Sequence, residues 1–192
     1  MAFLKNNYGW LIVAIIATLP LIPLLRIGLN DSNSNVDMLY HISGEFAIRW
    51  MTAVLTLTPF YIIFGITNLF VRQAIGIATA VWSFIHFIIF IWAEGLLETF
   101  TQVNYIAGFI AILILIPLFF TSNRKSMKFL KTNWKKLQTF AYIAIFLSLL
   151  HIVLLEKTWL IYAIIVFLGF IIRIPFIKNK FIVFRKKRKD FI

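Results

Sequence analysis

The sequence has 192 residues, of which 61% are hydrophobic and only 14% charged, and its formal net charge is +12. A soluble domain has roughly half apolar residues and about a quarter charged ones, so this composition excludes an ordinary soluble protein. The basic residues lie between apolar segments, as in membrane proteins, and do not indicate nucleic-acid binding. The absence of cysteine excludes disulfides, thiolate metal sites and iron–sulfur clusters.

Six apolar segments follow one another along the chain, each close to the length that a helix needs to cross a bilayer. They are predicted at about Tyr8–Ile27, Glu45–Ile66, Ala74–Leu97, Tyr105–Phe120, Leu137–Leu155 and Trp159–Ile174. The first lacks a small-residue cleavage site and is interpreted as a retained span. Ser43 is predicted to be the N-cap of the second span. The sequence therefore predicts an all-α integral membrane protein, a six-helix transmembrane bundle that forms a single domain over residues 1–192.

The charges alternate between the connecting segments. The N-terminus, the loop at Arg72, the connector Arg124–Lys136 and the C-terminal tail hold 16 of the 19 Lys and Arg. Six of the seven acids lie with the other three cations, namely Asp31, Asp37, Glu45, Glu94, Glu98 and Glu156. The positive-inside rule therefore predicts that both termini are cytoplasmic. The basic tail, residues 178–192, is interpreted as an anchor against anionic membrane lipid, with a docking site for a cytosolic protein as the alternative.

Two histidines lie inside predicted spans, where ionisable side chains are costly and become functional candidates. His86 is in the third span and His151 in the fifth, at similar depth in the half nearer the outer face. Neutral imidazole is a common haem ligand, and helical bundles build cofactor sites from side chains on facing helices. The alternative is that each histidine hydrogen-bonds across helices and packs. Spacing alone favours neither interpretation.

Several short motifs occur in a fixed order between His41 and Lys157. They are His41–Gly44 leading into Ala53–Pro59, Val71–Ile77 with His86 ten residues after Gly76, Phe120–Ser122, and Asn133–Tyr142 followed by His151 and Lys157. In these stretches, about residues 41–157, the chain resembles the ferric-reductase-like transmembrane domain. More narrowly, it resembles the MsrQ (YedZ) family, the haem-binding membrane subunits of the periplasmic methionine-sulfoxide reductase system.

The resemblance implies a haem b core held between the third and fifth spans. His86 and His151 match two of the family's haem-ligand histidines. The family passes electrons across the bacterial inner membrane to a periplasmic, molybdopterin-containing partner that reduces methionine sulfoxide in proteins. Its proposed electron donor is quinol or a cytosolic flavin reductase. The chain would then be an electron-transfer subunit of an oxidoreductase system rather than the catalytic subunit.

The chain departs from the family pattern at two positions. Gln138 stands where the family usually has a histidine at the start of the fifth span, and Gln73 follows Arg72 where the family usually has two arginines. Glutamine is a poor haem ligand, and Gln138 is 13 residues from His151, about 20 Å along a helix. A flavin such as FMN, or a quinone, would fill the gap that this leaves on the inner side.

Three secondary candidates and two other functions follow from the same residues. Arg72 is a candidate for holding an anionic cofactor or a haem propionate, and Gln138 marks the missing ligand position. His41 matches a frequent family histidine, and an interfacial role is expected for it. One alternative is a ferric-reductase-like electron-transfer protein with a different partner. The other is a non-redox six-span membrane protein, in which the histidines only cross-link helices.

Overall fold

The computed structural model describes residues 2–29, 36–66 and 69–190, and every regular element in these ranges is helical. The predicted polar loop with Asp31 lies outside the described residues. The helices are α1 (Ala2–Thr18), α2 (Leu21–Gly28), α3 (Val36–Phe64), α4 (Leu69–Glu94), α5 (Val103–Phe120), α6 (Arg124–Leu130), α7 (Thr132–Gln138), α8 (Ala141–Leu154), α9 (Leu160–Arg173) and α10 (Pro175–Asp190), with a 3₁₀ turn at Leu97–Phe100. The all-α prediction is confirmed for these residues.

Five stretches are long and apolar enough to cross a membrane. They are Tyr8–Gly28, Val36–Phe64, Phe70–Glu94, Val103–Phe120 and Thr132–Leu154. A sixth is obtained only if α9 and α10, which meet at an angle of 77°, form one broken span. The 14 residues of α9 are about 21 Å long, which is shorter than a hydrocarbon core of about 30 Å. The described residues thus indicate a multi-pass membrane protein with five or six spans.

The start of the second span differs from the prediction. Helix α3 already includes Val36, nine residues before the predicted start at Glu45. Asp37 lies in its first turn, where a carboxylate interacts favourably with the helix dipole. Ser43 is therefore a fully buried residue of the helix interior and not an N-cap. His41, which was predicted to precede the span, is an exposed residue of the same helix.

Helix α3 is the centre of the bundle. It packs against α4 and α9 along its length, while α5 packs against α8 and also contacts α4. Side chains from α3, α5, α8 and α9 form the main core cluster, which comprises Ile48, Met51, Leu55, Leu115, Leu118, Ala144, Ile145, Tyr162 and Val166. The core thus joins the α3–α4 pair to the α5–α8 pair.

A proline inside α3 is accommodated by a side chain from α9. Pro59 has no N–H, so the carbonyl of Leu55 loses its helical donor. The Nη2 atom of Arg173 donates to that carbonyl over 2.5 Å. Gly169 of α9 lies against the proline ring, and a Cβ there would be 3.3 Å from the proline Cγ. A neighbouring helix thus satisfies the backbone group that the proline frees, as membrane interiors require.

Trp82 of α4 ties the first span to the bundle. Its side chain is only 1% exposed, and its Nε1–H donates to the carbonyl of Ala17 over 3.0 Å. Ala17 lies in the last turn of α1, where carbonyls lack helical donors. The indole ring also packs on Phe46, with ring centroids 4.9 Å apart. Trp82 therefore combines apolar packing with a cap on a helix end.

Two substitutions of Trp82 are expected to lower the free energy of unfolding by different amounts. Trp82→Phe removes the N–H and leaves the Ala17 carbonyl unpaired, at a cost of about 1–3 kcal/mol. Trp82→Ala also leaves a cavity and should cost about 3–5 kcal/mol. The midpoint of thermal unfolding in detergent reports the loss of stability in each variant. Trp92→Phe is the control, because Trp92 is 71% exposed and should tolerate the change. Equal midpoints for all three variants would contradict this role.

Candidate functional site

His86 is oriented by a serine on the neighbouring helix. The hydroxyl of Ser43 donates to the Leu39 carbonyl of its own helix over 2.7 Å, and its oxygen lies 3.0 Å from the Nδ1 atom of His86. A hydroxyl that donates to the carbonyl leaves its oxygen to accept from Nδ1–H, and in that tautomer Nε2 of His86 keeps a free lone pair.

His151 has the same arrangement on the other helix pair. Its Nδ1 atom lies 2.7 Å from the backbone carbonyl of Asn104 in α5. A carbonyl only accepts hydrogen bonds, so Nδ1 carries the proton and Nε2 has the lone pair. Asn104 is itself buried. Each histidine is thus bonded through Nδ1 to the helix beside it, His86 to α3 and His151 to α5.

The two imidazoles are neighbours. Their ring centroids are 6.4 Å apart and their planes are inclined by 74°. Both rings are partly buried, and both lie towards the C-terminal ends of their helices. The structure therefore brings together the two histidines that the sequence singled out in the third and fifth spans. We refer to His86 and His151 as the histidine pair.

A glycine lies against each ring. A Cβ on Gly44 would be 3.1 Å from Cε1 of His86, and a Cβ on Gly108 would be 3.2 Å from Nδ1 of His151. Contacts this close would require the rings to shift. The absence of a side chain at both positions lets each imidazole lie directly on a helix backbone, so the two glycines help to define the position of the pair.

Aromatic side chains pack beside His86 on the side towards Glu94. Tyr40 meets the ring of His86 edge to face, with centroids 6.4 Å apart. Phe90 packs on Tyr40 at 6.5 Å and on Tyr105 at 4.9 Å. The Tyr40 hydroxyl donates to Oε1 of Glu94 over 3.2 Å. An aromatic cluster that ends in a hydrogen bond between a tyrosine and a carboxylate therefore lies beside the His86 ring.

The secondary candidates lie apart from the pair. The Nη2 atom of Arg72 donates to Oγ1 of Thr58 over 3.3 Å, and Arg72 is 14 residues before His86, about 21 Å along α4. Gln138 ends α7 and has a buried Nε2 atom without a hydrogen-bond partner. His41 is exposed on α3. The structure thus places none of these three side chains against the two imidazoles.

Four residues of the site were not identified from the sequence. They are Ser43, Gly44, Asn104 and Gly108, all on the helices that flank the histidines rather than on the histidine helices. Asn104 and Gly108 are four apart and so share one face of α5, a pattern that is visible in the sequence but is too common to be diagnostic.

No family model and no solved structure matches the chain. The chain is similar to curated MsrQ proteins. The relatives from Brucella ovis, Brucella canis and Brucella suis, each named protein-methionine-sulfoxide reductase heme-binding subunit MsrQ, are 30% identical to it over 126 residues. The match covers 62% of this chain and 57% of each relative. These relatives support the resemblance of this chain to the MsrQ family. Since the chain matches little more than half of their length, the activity of the whole relatives does not follow from the match alone.

The proximity of the pair is testable by cross-linking, because the chain has no cysteine of its own. The double variant His86→Cys/His151→Cys should be joined by a short bifunctional thiol reagent, giving one reagent per chain by intact mass. In the control, His86→Cys/Phe146→Cys, the second thiol is on an exposed position of the same helix and should give two separate adducts. Two separate adducts in both variants would contradict the packing described here.

Proposed function

We propose that this protein is a haem b membrane subunit that carries electrons across the bacterial inner membrane to a periplasmic reductase of protein methionine sulfoxide. The observation that carries the proposal is the histidine pair. Two adjacent imidazoles from different helices each use Nδ1 in a hydrogen bond and keep the Nε2 lone pair. Metal-ligating histidines typically have this arrangement, with the second nitrogen bonded to a carbonyl or another acceptor.

The distance between the rings suits a shared metal. A bond from a metal to an imidazole nitrogen is about 2 Å, and the ring centre is about 1 Å further away, so two imidazoles on opposite sides of one metal have centroids about 6 Å apart. The observed separation is 6.4 Å. No cluster of three or more His, Cys, Asp or Glu occurs among the described residues that could hold a bare metal ion. A haem would need only two ligands from the protein, and the histidine pair would supply them.

The flanking residues have defined roles in this proposal. Ser43 and the Asn104 carbonyl fix the tautomer of each imidazole and increase its strength as a ligand. Gly44 and Gly108 leave room for the rings against the helix backbones. A haem bound here would supply a one-electron carrier, whose potential depends on the axial ligands and on burial. The protein supplies the ligands, their orientation and an apolar surrounding.

The proposed direction of transfer is supported by the distribution of charge. The described acids Asp37, Glu94, Glu98 and Glu156 are at the end of the bundle to which the histidine pair is closer. The cations Arg72, Arg124, Lys178 and Arg185 are at the other end, which we call the basic end. With the basic end in the cytoplasm, both termini are cytoplasmic and electrons leave on the periplasmic side.

The partners are proposed from the resemblance and from the names of the relatives. The acceptor is a periplasmic, molybdopterin-containing subunit, and the donor is quinol or a cytosolic flavin reductase. We propose one haem per chain, because Gln138 stands at the position on α7 where a ligand for a second haem would be expected. A flavin such as FMN, or a quinone, would then be needed to bridge the distance of about 20 Å from the donor side to the histidine pair.

An absorption spectrum of the purified protein tests the proposal. The reduced protein should show the sharp bands of a b-type cytochrome, and pyridine haemochrome quantitation should give one haem per chain. His86→Ala and His151→Ala should each abolish the bands, since each removes an axial ligand. His41→Ala should keep them, because His41 is exposed on α3. A correctly folded protein without these bands would refute the proposal and favour histidines that only cross-link helices.

The hydrogen bond from His86 to Ser43 should tune the potential of the bound haem. Ser43→Ala removes the acceptor of Nδ1–H and makes His86 a weaker ligand, so the midpoint potential should rise and haem affinity should fall by about 10- to 100-fold. A redox titration and a haem-retention assay measure these effects. Thr79→Ala is the control, because its buried hydroxyl bonds the Ile75 carbonyl within α4. The same potential in both variants would argue against this role of Ser43.

A further inference from the structure

A pocket of about 240 Å³ lies at the basic end, where α10 turns beneath the end of α3. The 77° angle between α9 and α10 brings the tail helix across the bundle. The polar lining comes from three helices, with Thr58 and Tyr61 on α3, Arg173 on α9, and Lys178 and Arg185 on α10. Thr58 is 14 residues from Gly44, so the pocket is about 21 Å along α3 from the histidine pair.

The lining is cationic. Arg173, Lys178 and Arg185 contribute three positive charges, and Arg72 adds a fourth through its hydrogen bond to Thr58. Among the residues that the structure describes, no acidic side chain lines the pocket. The one salt bridge among the described residues, between Arg49 and Glu45, is near the opposite end of α3. The positive charge of the pocket is therefore not neutralised by carboxylates.

Backbone carbonyls hold the arginines in place. Nη1 of Arg185 donates to the carbonyls of Tyr61 and Ile62 over 2.7 and 3.2 Å, in the last turn of α3. Arg173 donates to the Leu55 carbonyl and packs against two aromatic rings. These bonds fix the guanidinium groups without cancelling their charge.

Arg173 also has an unused donor. Its Nε–H is buried and has no hydrogen-bond partner, although a buried donor that is left unpaired is unfavourable. The planar guanidinium matches the oxygen atoms of a phosphate group, which can accept two hydrogen bonds from it at once. An anion in the pocket would supply acceptors for the guanidinium and ammonium groups that line it, together with the missing negative charge.

We propose that this pocket binds a phosphate group, supplied either by the headgroup of an anionic lipid or by a soluble phosphate compound. Its volume is below the roughly 300–1,000 Å³ of pockets that enclose whole ligands, so it suits a headgroup-sized anion. Basic pockets between membrane helices commonly bind such headgroups. On α10, Lys178 and Lys180 lie between the exposed Phe176 and Phe184, a mixture of cationic and aromatic side chains like that of helices that lie in the headgroup region.

The thermal midpoint of the full-length protein in mixed micelles tests the proposal and separates the two sources. If the source is lipid, phosphatidylglycerol should raise the midpoint of the wild type more than phosphatidylcholine does, and native mass spectrometry should show one tightly retained anionic lipid. If the source is soluble, inorganic phosphate should raise the midpoint in phosphatidylcholine micelles. Either result supports a phosphate site.

Substitutions of residues that line the pocket test whether the stabilising anion binds there. Lys178→Gln should reduce the stabilisation by phosphatidylglycerol or phosphate by at least half, and Arg173→Gln should abolish it. Because Arg173 also bonds the Leu55 carbonyl, the exposed Lys178 is the decisive variant if Arg173→Gln does not fold. Lys125→Gln, an exposed lysine of α6, is the matched control and should behave as wild type. Equal stabilisation of the wild type, Lys178→Gln and Lys125→Gln would overturn the proposal. None of these measurements depends on haem, so the result is independent of the proposed function.

Discussion

The hydrogen bonds from the two imidazoles to their neighbouring helices are the constraint on which the arrangement depends. In an apolar interior, an Nδ1–H without an acceptor would be costly, so each histidine must lie next to a helix that offers one. His86 finds the Ser43 hydroxyl on α3, and His151 finds the Asn104 carbonyl on α5. These two bonds link α4 to α3 and α8 to α5 at the level of the histidine pair. They also decide which ring nitrogen remains available.

Small residues make these bonds possible. Gly44 follows Ser43 directly, and Gly108 is one turn after Asn104, so each acceptor has a glycine beside it where the ring lies. A side chain at either glycine would push the ring away from its acceptor. The acceptor and the glycine therefore act as one unit on each flanking helix. The core cluster then joins the two helix pairs, and the imidazoles meet where α4 faces α8.

The sequence predicted the histidines and the apolar spans but not the residues that orient the histidines. A run of apolar residues identifies a span because hydrophobic length is a local property, and a histidine within a span is conspicuous. Ser43 and His86 are 43 positions apart, and Asn104 and His151 are 47 apart, so only the folded bundle shows that they meet. Ser43 was interpreted as an N-cap because serine is a favoured cap residue and the span was predicted to begin at Glu45, but α3 already includes Val36. The turn of α10 under α3 was missed for the same reason, since it depends on contacts of Arg185 with the distant end of α3.

Charged side chains at the two ends of the bundle have different kinds of hydrogen-bond partner. Near the histidine pair, Glu45 accepts hydrogen bonds from Arg49 and from Tyr162 of α9, so its carboxylate is neutralised within the protein. At the basic end, Arg173 and Arg185 are held by carbonyls, one freed by Pro59 and the others at the end of α3. A carbonyl fixes a guanidinium but leaves it with its full charge. The basic end therefore stays strongly positive while its arginines are ordered, and both the proposed orientation and the proposed phosphate site rest on this combination.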